Sequence, residues 1–515
     1  MQQIIPAIAL EVSVVILGVL MLFAEAFSRR ADRSHMAKYA IGILAALLGM
    51  SFFTKAAPEH VADGSYWAFY AVDATALFFK RIALGTTIVF LVMAIEYRHV
   101  LSRFIPGAEE GQGTGEFYTL PVFICAGLMF MASAVDFILI FVALELVTIG
   151  FYVMVAYMRR SGQSLEAGVK YLILGALSTG FLVYGITWIF GLTGETNLFQ
   201  VKAQLISGFS APSNAGSKEL GSLLGNESAL LFGVMLVLVA LGFKVAAAPF
   251  QLWVPDVYQG APTPVTAFLS VGSKAAGFVV LVRVLDVFLS VPALQGKVVS
   301  VLVLLAALTL LYGNLTAMVQ ENVKRLFAYS SIAHAGYLLV ACAAIGADSA
   351  AAKEAISFYL AGYLVMTLLS FLILIVVARH SRGDEIRHFN GLGKRSPMLA
   401  FGMTLALASL AGVPLTVGFL GKFLVFKTAV ASNQWVLVGI GIITVAAGFY
   451  YYLKLVAVMY WQEPNDSTPI EITPLTRISV TVLGALIVIL GIYPAPILAQ
   501  LQNRTALPAA HVAQR

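Results

Sequence analysis

Apolar residues in this chain come in long unbroken runs. Segments such as ALLFGVMLVLVALGF and VSVLVLLAALTLLYG lack the period-two alternation of a strand with one wet face. Each run is about 20 residues, the length a helix needs to cross roughly 30 Å of hydrocarbon. About 14 such runs can be counted, centred near residues 15, 46, 84, 125, 146, 179, 239, 275, 308, 336, 366, 414, 448 and 487. Helices satisfy their own backbone in lipid, and a closed barrel would need alternation, so the pattern predicts an all-α polytopic membrane protein.

Two runs are interrupted. One passes into FKVAAAPFQLWVPDVYQGAPTPV, with Pro249, Pro255, Pro262 and Pro264; the other, LASLAGVPLTVGFLGKFLVF, carries Pro414 in its middle. Proline removes a helix hydrogen bond and frees the carbonyl four residues earlier. In a membrane such carbonyls are tolerated where protein or a hydrated cavity receives them, so both runs are expected to be broken helices. The stretch 192–228 is rich in Gly, Ser and Asn and reads as an outer loop with room for a short surface helix.

Charge then orients the pattern. Basic residues crowd alternate loops: Arg29, Arg30, Arg33 and Lys38; Arg98 and Arg103; Arg159 and Arg160; Lys324 and Arg325; and Arg379, Arg382, Arg387, Lys394 and Arg395. The intervening loops hold only Lys55, Lys202, Lys218, Lys297 and Lys353, thinly spread. The positive-inside rule places the basic loops in the cytoplasm and both termini outside. Composition agrees: 60% of residues are hydrophobic and 11% charged, against about 25% charged in soluble domains. Cys125 and Cys342 both lie inside apolar runs and read as small core residues. The run Ile4 to Phe27 is too long for a removable signal peptide and lacks a basic start.

Charges at mid-span are the informative positions, because each costs about 3 kcal/mol on insertion scales. Glu145 sits in DFILIFVALELVTIGFYVMV, Lys244 in LVALGFKVAAAPF, Lys274 in AFLSVGSKAAGFVVL, His334 in LFAYSSIAHAGYLLVA and Lys422 in VGFLGKFLVF. Any one of them alone could be a structural ion pair between helices. Five titratable groups, each central in a different span, point to a path instead. Glu11, Glu25, Lys80, Arg81, Lys170, Arg283 and Lys454 lie nearer span ends, where snorkelling to the interface accounts for them. Asp136 opens its span, as a helix-dipole partner would. Asp256, in the Pro-rich break, either caps the turn or closes a proton entrance.

The five suit protons. Desolvation brings an amine's titration toward neutrality, and a nearby carboxylate opposes that. An ion pair about 6.5 Å apart at an effective dielectric of about 20 is worth about 2.5 kcal/mol. Changing the Glu145–Lys244 separation would therefore switch the lysine between holding and releasing a proton. Imidazole titrates near neutrality unaided, so His334 can relay between lysines. A metal-ion path would use clustered carboxylates and carbonyls, and three lysines repel cations, which favours protons over sodium. Gly439 and Gly441 lie within a span and make no nucleotide loop; no Walker sequence, haem pair or cysteine cluster is present. Redox chemistry or ATP use belongs to a partner.

FKVAAAPFQLWVPDVYQGAPTPVTAFLSVGSKAAGF, ENVKRLFAYSSIAHAGYLL and LAGVPLTVGFLGKF resemble the antiporter-like membrane subunits of respiratory complex I, and among them the subunit N branch, over nearly the whole chain. The resemblance implies two inverted five-helix repeats, at residues 117–290 (spans 4–8) and 297–461 (spans 9–13), preceded by three spans at 1–116 and followed by a last span and tail at 474–515. It implies functional roles for Glu145, Lys244, Lys274 and Lys422, with His334 a looser match. Lysine rather than glutamate at 422, and an end at residue 515 without a long lateral helix, favour the N branch. It further implies a bacterial inner-membrane location, partner subunits carrying NADH, flavin, iron–sulfur clusters and quinone, and no cofactor in this chain. The rival expectations are a subunit of a multisubunit sodium/proton antiporter or membrane-bound hydrogenase, and a scaffold whose charges only join helices.

Overall fold

A computed structural model of the protein describes residues 4–27, 33–56, 68–106, 114–210, 227–381, 383–464 and 468–502. Arg29, Arg30, Lys218 and Arg382 of the loop comparison, and much of the 192–228 loop and the C-terminal tail, lie outside the described residues.

The chain opens with α1 (Ile4–Phe27), α2 (Ser34–Ser51) and α3 (Ala74–Leu101). Then come α4 (Glu116–Ser133), α5 (Phe137–Val155), α6 (Gly162–Thr193) and the short α7 (Leu198–Ser210) within the predicted loop. The first broken span is α8 (Glu227–Val245) plus α9 (Trp253–Gly260), followed by α10 (Thr263–Phe288), which contains a π-helical turn at Leu269–Ser273. Next are α11 (Pro292–Ala317), α12 (Val323–Ala343) and α13 (Ser349–Ser381). The second broken span is α14 (Pro397–Ala411) plus α15 (Val417–Ala431). The chain closes with α16 (Trp435–Trp461), α17 (Pro474–Ile492) and α18 (Ala495–Gln502). Among the described residues, 12 helices are long and apolar enough to cross a membrane. The remaining predicted runs are α2, whose first turns are polar, and the divided α14–α15. The protein is an all-α, multi-pass membrane protein.

Helix starts follow local chemistry. Asp73, Asp136, Ser161, Asn322 and Thr473 each accept a backbone N–H of the first turn of α3, α5, α6, α12 and α17. Such a cap fills one of the orphan donors at a helix start. Asp136 thus has the helix-start role expected of it, and Thr196 Oγ1 also donates to it at 2.8 Å.

Loop contacts sort the helix ends into two sets. At one end, Arg160 N donates to Phe104 O, Arg379 pairs with Glu96, Asn322 with Asp384 and Lys394 with Glu463. At the other, Asn197 donates to Ala68 O, Arg283 pairs with Asp73, Lys353 with Asp286, and Gln295 donates to Gly346 O. Basic loops therefore share the first end. The series of five spans from α4 to α10 enters from that end, whereas the series from α11 to α16 enters from the opposite one, because an odd number of crossings intervenes.

The apolar stretches of α10 and α12 are buried throughout, and that of α13 nearly so. Without a hydrophobic drive between helices in lipid, close approach of backbones takes over, and small residues permit it. The α11–α12 crossing is an example. A Cβ at Gly313 would lie 2.6 Å from Ala333 N, and one at Gly336 would lie 2.9 Å from Leu310 N. These two glycines press α12 against α11 on either side of His334 and so set the depth of that ring in the interior.

Candidate functional site

The site is built around α12. Lys274 follows the π-helical turn of α10, and its Nζ donates to both the carbonyl and the hydroxyl oxygen of Ser331. Widened turns of this kind recur where a helix must redirect a functional side chain. Ser331 Oγ also pairs with the Tyr258 hydroxyl on α9 at 3.1 Å. The adjacent Ser330 pairs with the Tyr452 hydroxyl from α16, which lies 3.2 Å from His334 Nε2. On its other side His334 Nδ1 meets the Tyr359 hydroxyl of α13 at 2.6 Å. Lys274 Nζ and the His334 ring both lie against Tyr363, at 5.5 and 5.0 Å from its ring centre.

Lys422 completes the arrangement from the second break. Gly412 ends α14 at φ 99°, a left-handed conformation glycine accepts without strain, and Pro414 cannot continue the ladder. The freed carbonyls of Leu410 and Ala411 receive Lys422 Nζ at 2.9 and 2.8 Å. Lys422 also stands 5.0 Å above the Tyr337 ring. The first break is repaired differently. Trp253 Nε1 donates to Phe243 O at 3.1 Å, and Ala248 N donates to Thr309 Oγ1 at 2.9 Å. Both breaks do what the prolines require, with buried protein groups receiving the interrupted backbone.

Glu145 lies on α5 and Lys244 at the end of α8, where Lys244 packs beside Gly277, about one turn from Lys274 on α10. Lys244 is buried and Glu145 half-buried. Among the described residues they form no ion pair. Lys244 Nζ donates to Thr148 Oγ1 at 2.7 Å, and Glu145 Oε1 accepts from Thr179 Oγ1 at 2.7 Å. Each is held by a threonine hydroxyl. The two remain within electrostatic reach of each other.

The structure thus brings Lys274, His334 and Lys422 into one interior tract and sets Glu145 with Lys244 beside it. Hydroxyl groups of Ser331, Ser330 and Tyr452 lie between Lys274 and His334, and each can donate and accept at once, which a chain of proton transfers requires; Lys422 meets this group across the Tyr337 ring. Among the described residues no cluster of three or more His, Cys, Asp or Glu could hold a metal ion.

Several groups were misplaced or passed over in the sequence. Glu11 and Lys80 do not snorkel: they form a fully buried ion pair at 2.8 Å, joined by the Tyr70 hydroxyl. They lie about two turns inside their helices, at matching depth, and α1 and α3 present them to each other rather than to the interface. Lys324 is no exposed loop charge either. It is buried, and its Nζ donates to Gln259 O and Ala261 O at 2.7 Å each, capping α9. Asp256 bridges Lys170 at 2.7 Å and Arg325 at 3.0 Å, beside a cavity of about 160 Å³. Tyr258, Tyr359 and Tyr452 carry no charge, so nothing in a charge pattern marks them. Cys125 and Cys342 are buried free thiols, as read.

Residues 134–448 match the family model described as NADH:quinone oxidoreductase/Mrp antiporter, TM, a segment that contains all five candidate residues. The chain belongs to this family. Its relatives include NADH-quinone oxidoreductase subunit N of Desulforamulus reducens, 37% identical over 97% of both chains. Among solved structures, a chain of respiratory complex I from Thermus thermophilus with bound aureothin is 30% identical, with a TM-score of 0.75, over 96% of this chain and 99% of that one. A chain of the Mrp complex from Dietzia sp. DQ12-45-1b is 18% identical at a TM-score of 0.78, covering 96% of each, and shares the fold. Family membership leaves α1–α3, with the Glu11–Lys80 pair, outside the matched segment.

Proposed function

We propose that this chain is the proton-translocating membrane subunit of an NADH-quinone oxidoreductase (complex I). In this reading it couples electron transfer from NADH to quinone, carried out by flavin and iron–sulfur clusters in partner subunits, to proton passage across a bacterial inner membrane. The chain itself supplies no redox centre. The observation that carries the reading is the buried tract from Lys274 through Ser331, Ser330, Tyr452, His334 and Tyr359 toward Lys422. Lysines alternately gain and lose a proton, hydroxyls and the imidazole pass it on, and Glu145 tunes Lys244. The basic end faces the cytoplasm, and both termini lie on the outer side.

Partner subunits are required by Glu145 itself. It lies half-buried on a face of α5 that also exposes Ile138, Val142, Leu146, Ile149 and Val153. A carboxylate at that depth against lipid is expensive, so protein covers this face in the assembled complex. Purification in mild detergent tests the assignment. NADH-oxidising, iron–sulfur subunits should accompany the chain; an exclusive set of antiporter or hydrogenase subunits would replace the complex I reading with the rival one.

A further inference from the structure

Lys244 and Glu145 each have a hydroxyl partner of definite polarity. Thr148 Oγ1 already donates to Leu144 O at 2.6 Å, so toward Lys244 it presents only a lone pair. That seat accepts an amine that donates. Thr179 donates to Glu145, so its seat takes an oxygen that accepts. Glu145 and Thr148 are three residues apart and share a helix face, as does Tyr152 one further turn along. The Tyr152 hydroxyl is buried and has no partner among the described residues. Ser178, next to Thr179, donates to Ala240 O at 3.2 Å and ties α6 to α8, so the Thr179 seat is held against the helix that carries Lys244.

We infer that Thr148 and Thr179 are positioning residues whose hydroxyls seat Lys244 and Glu145 and hold the two apart. The inference rests on the proton-relay reading above. Without those hydroxyls the lysine and the carboxylate, one turn apart in their seats, would collapse on each other and stay together.

The test uses the assembled complex in reconstituted vesicles, with proton uptake per NADH oxidised as readout and assembly checked on native gels. Thr179 touches Glu145 and not the lysine, so its variants are the cleaner ones. Thr179→Val keeps the shape and removes the hydroxyl; Thr179→Ala removes it without an added branch, should the valine variant fail to assemble. Both should lower proton uptake to the level of Glu145→Gln, and Thr179→Ser should restore it. Combined with Glu145→Gln, Thr179→Val should add no further loss. Normal uptake in Thr179→Ala or Thr179→Val, failure of Thr179→Ser, or an additive loss in the double variant would each overturn the inference. Lys244→Ala separates the two claims. If it fails while the threonine variants pump normally, the seats fall and the relay stands. If Lys244→Ala itself pumps normally, the relay falls and the seats with it.

Discussion

Replacing Lys274 by arginine separates titration from charge. Lys274 is 2% exposed, and its two acceptors, the carbonyl and hydroxyl oxygens of Ser331, suit a guanidinium as well as an ammonium. A role as helix glue would therefore survive the change. A relay would not. In water arginine holds its proton about 2–3 pH units more tightly than lysine, and burial penalises both cations in the same direction. About 3–4 kcal/mol of extra cost then falls on the neutral form, which becomes a hundred- to thousand-fold rarer, to order of magnitude. Lys274→Arg should therefore impair proton uptake nearly as badly as Lys274→Ala. The measurement is proton uptake per NADH oxidised in reconstituted vesicles, on variants whose assembly has been checked by native gel. Normal pumping by the arginine variant alongside failure of the alanine variant would refute the relay.

Three further outcomes are expected. Glu145→Gln keeps the side-chain shape and its bond to Thr179 while removing the charge, so proton uptake per NADH should fall in an intact complex; an unchanged ratio would make Glu145 structural. Glu11→Ala strands the Lys80 amine in a fully buried site and should cost about 3–5 kcal/mol, whereas the double change Glu11→Leu with Lys80→Met should recover most of it. Thermal dissociation of the complex reads this, and a single variant as stable as the parent would contradict the buried pair. A cysteine placed at Arg387, which is exposed at the basic end, should react with a membrane-impermeant reagent from the cytoplasmic side only, and labelling only from outside would invert the topology.

The sequence by itself determined the span pattern, the two breaks and the depth of the chemistry. Run length reports whether a helix can cross, proline reports where its ladder stops, and the cost of burying charge marks Glu145, Lys244, Lys274, His334 and Lys422 without any knowledge of neighbours. Alternating basic loops likewise foretold which helix ends gather together. What only the tertiary structure decided is who faces whom. Lipid and protein interior are equally apolar, so hydropathy does not tell a lipid-facing surface from a packed one. Glu11 and Lys80 read as interfacial charges until α1 and α3 are seen to close over them. Lys324 read as a loop charge until α9 is seen to end above it. The seats of Glu145 and Lys244 are likewise invisible in the sequence, since Thr179 and Thr148 hold them through neutral hydroxyls. Tyrosines and serines join the lysines into one tract, and these neutral groups leave no mark in a charge pattern. Their partners lie tens to more than a hundred residues away along the chain, so helix packing alone sets the contacts through which a proton would move.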